Sequence, residues 1–193
     1  MKIIKLLSLS LVATLVFSAC SDDDDAPQVI NEEEEITTLK VFLTPDGGQE
    51  FEAFSYTDLD GGVSDPVVST SELQANTTYK GRTQFLNENE EPVEDITEEV
   101  VEEGEEHQVF YLPANSLDFT IQYSLVGENI DADGNPIGVE FTLETGSESQ
   151  GNFTVLLIHE GNKFAEGASD GIYDADLVGG ETDIEVTFNV SIQ

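Results

Sequence analysis

Asp183-Ile184-Glu185-Val186-Thr187-Phe188-Asn189-Val190-Ser191-Ile192 alternates polar and apolar residues without a break. Successive side chains of a strand point to opposite faces of its sheet, so this period of two predicts a strand with one buried face. Ile184, Val186, Phe188, Val190 and Ile192 are its candidate core residues, and Asp183 heads the polar set. The pattern recurs upstream. Phe119, Ile121, Tyr123 and Leu125 alternate with Thr120, Gln122 and Ser124, and Val139, Phe141 and Leu143 with Glu140 and Thr142. Segments 37–44, 49–57, 78–86 and 106–112 are further strand candidates. Residues 153–158 (Phe-Thr-Val-Leu-Leu-Ile) are apolar on both faces and predict a central strand. Clusters such as Pro45-Asp46-Gly47-Gly48, Asp60-Gly61-Gly62 and Asp133-Gly134-Asn135-Pro136 are turn residues. About eight strands at this spacing predict an all-β fold, an antiparallel immunoglobulin-like β-sandwich over residues 36–193. Only 95–104 breaks the pattern; its helix formers and the stop at Gly104 predict a short helix or an irregular crossover.

The opposite end of the chain reads as an address. Lys2 and Lys5 flank the start of an apolar run reaching Phe17, and Ser18 and Ala19 precede Cys20. A basic start, a short apolar stretch and small residues before a cut describe a secretory signal peptide over residues 1–19. A cysteine at the cut resembles a lipoprotein signal with Cys20 as the lipidated residue, and Ser21-Asp22-Asp23-Asp24-Asp25 resembles a surface-export signal of Gram-negative lipoproteins. The expected membrane link is therefore a lipid anchor, at the outer membrane and facing the cell surface. Residues 20–35 predict an extended tether, because the acidic runs on either side of Pro27 repel themselves.

The chain carries 41 acidic and 6 basic residues, a formal charge of −35. Such a field repels phosphate backbones, so nucleic acid is not an expected partner. The charge serves solubility and spacing from an anionic surface, or it serves cation capture. Cys20 is the single cysteine, and lipid on it would leave no thiol for a disulfide or thiolate metal site.

Two constellations could hold a cation. Asp131, Asp133 and Asn135 set oxygen side chains at alternate positions, as calcium loops do, although the EF-hand spacing fails because Gly134 stands at loop position 4 and Thr142 at position 12. The same residues also suit a plain hairpin turn. His107 and His159 each end a strand candidate beside carboxylates, a workable set for a zinc-like divalent ion if the two strands are neighbours. The other reading is two unrelated histidines at a sheet rim. Gly167-Ala168-Ser169-Asp170-Gly171 spells a nucleophile elbow, but no histidine follows before the end of the given sequence and no helix pattern does. No catalytic residue is expected, and the chain is not expected to be an enzyme.

Several blocks together carry a resemblance: Asn31-Glu32-Glu33-Glu34-Glu35-Ile36-Thr37-Thr38, Asp95-Ile96-Thr97-Glu98-Glu99-Val100, Glu105-Glu106-His107-Gln108-Val109-Phe110, Gly134-Asn135-Pro136-Ile137-Gly138 and Gly179-Gly180-Glu181-Thr182-Asp183-Ile184. The chain resembles small Gram-negative surface lipoproteins labelled "type 1 periplasmic binding fold", a family without an established activity. The label denotes two α/β lobes, whereas the residues here alternate as strands, and the alternation sets the fold expectation. The expected function is a lipid-anchored binding module capturing a ligand or cation for an outer-membrane importer. The alternative is a structural or adhesive surface protein without a small ligand.

Overall fold

The alternating C-terminal stretch forms a strand over Glu181–Ile192, in which Ile184, Val186, Phe188, Val190 and Ile192 are buried. The computed structural model describes residues 34–193, so the signal peptide, Cys20 and most of the tether lie outside the described residues. In chain order the elements are β1 (Thr38–Pro45), β2 (Phe51–Thr57), β3 (Val67–Thr70), β4 (Thr78–Asn87), β5 (Glu94–Asp95), α1 (Ile96–Glu102), β6 (His107–Pro113), β7 (Phe119–Tyr123), β8 (Glu140–Thr145), β9 (Ser149–His159), α2 (Ala175–Val178) and β10 (Glu181–Ile192). Among the described residues every pairing between these strands is antiparallel, and one isolated bridge, Leu73 to Ile192, is parallel. A larger sheet runs β3-β2-β1-β4-β8-β7 with β5 beside β4, and a smaller one runs β10-β9-β6.

The described residues are therefore all-β, an open sandwich in which they form ten strands where about eight were expected. The two additional strands had no alternation to reveal them. All four residues of β3 are exposed, and β5 is two residues long. The inward faces of the two sheets share one core. Phe54 of the larger sheet sits 5.6 Å from Phe153 and 5.5 Å from Phe188 of the smaller, ring centroid to ring centroid. Aromatic burial of this kind supplies the largest apolar areas a core can gain.

β9 is the central strand of its sheet, as its two apolar faces require. Phe153, Val155 and Leu157 enter the shared core; Leu156 and Ile158 face the other way. There they meet Phe110, Ala168 and Val178, so the segment after β9 folds back as a cover. The expected helix exists as α1. Asp95 caps it by accepting from Thr97 N at 3.1 Å, while Ile96 and Val100 are buried. Gly104, just past its end, admits the Ile137 side chain, which a Cβ would overlap.

Candidate metal centre

β6 begins at His107 and β9 ends at His159, and the register of the two strands pairs these residues. Their rings stack 4.6 Å apart and 12° from parallel. Both sit on the core-facing side, in line with Val109 and Leu157. The condition set by the sequence, that the two strands be neighbours, is met.

Two carboxylates complete the group. Asp183 belongs to β10, where the register skips from Thr182↔Ile158 to Ile184↔Leu157 and leaves Asp183 as the extra residue of a bulge. A bulge re-aims a side chain. Strict alternation would send Asp183 to the wet face, yet its side chain is 1% exposed and Oδ2 lies 3.8 Å from His107 Nε2. Glu34 precedes β1 and comes from the side of the larger sheet. Its Oε1 lies 3.5 Å from the same nitrogen. One ligating atom from each of Glu34, His107, His159 and Asp183 falls within 4.8 Å of the others. A tetrahedral zinc shell with bonds near 2.0–2.2 Å needs ligand separations of about 3.3–3.6 Å, so the Glu34–His107 pair already fits and the widest gaps would close by up to roughly 1.5 Å.

The surroundings orient His107. Its Nδ1 lies 3.3 Å from the Glu103 carbonyl, and its backbone N–H also donates to that oxygen. With the proton on Nδ1, the Nε2 lone pair faces the two carboxylates, the arrangement a metal-ligating histidine adopts. Among the described residues, His107 Nε2 and Glu34 Oε2 make no hydrogen bond although both are buried. Lys163 holds the same histidine from behind. Its buried ammonium donates to the carbonyls of Gly104 and His107 and pairs with Asp131 at 3.0 Å.

Burial pushes the His107 pKa below the ordinary histidine value, against the pull of Glu34. His159 goes the other way: burial lowers it, but the Glu106 hydrogen bond and the carboxylates of Asp183, Glu34 and Glu160 together raise it. The cluster thus offers two imidazole rings and two carboxyl groups, all shielded from water, to one cation. A buried carboxylate is costly unless it is paired or coordinates a metal, and a divalent cation is one such partner.

The second expected set stands elsewhere. Asp131, Asp133 and Asn135 share one turn, in which Asp131 Oδ1 accepts from Asp133 N at 3.0 Å and Asn135 N at 2.7 Å. Asp131 Oδ2 faces the Lys163 ammonium, so a protein cation already neutralises this carboxylate. Ser169 lies in a 3-10 turn over Ala168–Asp170, and α2 follows, so a helix does come after it, contrary to expectation. No strand runs into the serine, however, since β9 ends at His159. The strand-to-helix elbow is not formed.

Two members of the four-residue cluster escaped the sequence. Glu34 is one of four consecutive glutamates read as tether, and nothing in the run distinguishes it. Glu35, also read as tether, accepts from Asn89 Nδ2 at 3.0 Å. Asp183 was legible only as a polar residue on an outward period, because a bulge leaves no fixed signal in composition. No protein-family model, curated protein or solved structure matches the chain.

Proposed function

We propose that this chain is a non-catalytic cation-binding module in which Glu34, His107, His159 and Asp183 hold one zinc-like divalent ion. The observation that carries this reading is the buried cross-strand histidine pair with two carboxylates inside 4.8 Å. Nitrogen and carboxylate oxygen together suit zinc and its neighbours better than calcium, which takes six to eight oxygens. Four protein groups would fill a tetrahedral shell and leave no open position for a substrate, which favours binding over catalysis. The signal-like N-terminus with Cys20 supports lipid anchoring at the outer membrane, facing the cell surface, where a captured ion could be handed to an importer.

A structural or adhesive surface protein is the second reading. The four groups come from the segment before β1 and from β6, β9 and β10, and an ion joining separate segments is the arrangement of a structural site. The two readings differ in whether the ion exchanges.

Isothermal titration of zinc at about 0.15 M salt tests the site, because loose counterion condensation on an acidic surface is screened there. One saturable equivalent is expected. His159→Ala should remove it and Asp133→Ala should leave it intact. A titration without saturable heat at that salt sinks the reading.

A further inference from the structure

The four-residue cluster is buried, so a hydrated ion needs a place to shed water before reaching it. Beside it lies a second group. Glu106, His159 and Glu160 each bring a ligating atom within 4.8 Å of the others, and His159 belongs to both groups. Glu106 Oε2 lies 3.4 Å from His159 Nε2, and the Glu106 side chain is 51% exposed. Glu160 is exposed as well, and its backbone N–H donates to the Glu106 carbonyl at 2.8 Å, which ties the two residues together. On the inner side of the shared imidazole stands His107, fully buried, with an Nε2 that makes no hydrogen bond among the described residues. The sequence of environments is therefore two exposed carboxylates, one shared histidine, then the buried nitrogen and carboxylates.

We infer that Glu106 and Glu160 form an outer station that receives the hydrated ion and passes it on His159 to the inner set. This rests on the cation reading of the inner cluster. The transfer is ligand exchange only: water leaves as carboxylates replace it, then Glu34, Asp183 and His107 replace the carboxylates while His159 stays bound. A cleft of about 330 Å³ beside the start of β1 and β10, lined by Glu35, Asp183 and Glu185, is the competing approach to the inner set. It lacks the shared ligand.

The test is stopped-flow uptake and release of cobalt(II), whose visible absorbance reports its ligand field, by the whole domain. Glu106→Gln/Glu160→Gln is compared with a charge-matched control on the cleft, Glu35→Gln/Glu185→Gln. A station speeds a passage in both directions. The first variant should lose about tenfold in association rate, the low end of what focused charge adds to an on-rate. Its dissociation rate should fall by a similar factor, with the equilibrium affinity within about threefold of wild type. The control should keep both rates. Unchanged rates in Glu106→Gln/Glu160→Gln, or an equal loss in the control, overturn the station. So does a wild type that takes up two cobalt equivalents and loses one in the variant, because the outer group is then a resident site. A wild type that binds no cobalt removes the inner site itself, and with it this inference.

Discussion

Asp183→Asn should raise stability without metal and lower it with metal. Asp183 and Glu34 bring carboxylate oxygens within 4.8 Å of each other in a buried site. At an effective dielectric of about 20, two unit charges at that separation repel by roughly 3.5 kcal/mol. Other contacts of Asp183, the His107 imidazole 3.8 Å away among them, offset part of this. We expect about 1–2 kcal/mol of net stabilisation in the metal-free variant near pH 8. For a domain of this size that is a rise in Tm of roughly 2–8 °C. Zinc reverses the order. At a free concentration one hundred times Kd, wild type gains about 2.7 kcal/mol. A variant that binds a hundredfold more weakly gains about 0.4 kcal/mol at the same concentration. Differential scanning calorimetry with chelator and with zinc would record the crossing. An Asp183→Asn variant that is less stable than wild type in chelator, yet gains as much from zinc, would refute both the repulsion and the ligand role.

Gly81→Ala should cost about 1–3 kcal/mol by overpacking, because a Cβ at this position would overlap the buried Phe141 ring; thermal denaturation would show a lower Tm. Asp131→Asn should cost about 3–5 kcal/mol at pH 7 by leaving the Lys163 ammonium buried without its partner. Burial works to raise the Asp131 carboxyl, but hydrogen bonds from Lys163 and Asn135 outweigh it and hold the pKa below the usual 3.8. The contribution is thus complete above the usual value and drains as pH falls through the lowered folded value. Urea titrations from pH 7 to pH 3 should show the gap between wild type and variant narrowing at the acid end only. Cys20→Ser should abolish lipid attachment, so an unlipidated variant found equally in membrane fractions would sink the anchor.

The fold was readable where one face of a strand is wet and the other dry. That contrast produced the alternation of β7, β8 and β10, and the doubly apolar run of β9. β3 has no dry face and so wrote nothing into its residues. The site was half readable for a related reason. His107 and His159 are rare residue types at strand ends, so they could be singled out without knowing the sheet order. That they pair across β6 and β9 is a matter of long-range register, which no local window contains. Glu34 and Asp183 are common residues whose places in the cluster arise from a chain path and a bulge, and an acidic composition hides both.

β1, which follows Glu34, lies between β2 and β4 rather than at an edge. It is matched at six positions with β2 and eight with β4. A lengthwise tug on the segment before it therefore works against two ladders in shear, and many hydrogen bonds must fail together rather than peel one at a time. An ion gripped by Glu34 together with β6, β9 and β10 would spread that load to the smaller sheet before β1 felt it. The chain is thus built like a rope end spliced into the middle of a weave, a sound place from which to hang a domain.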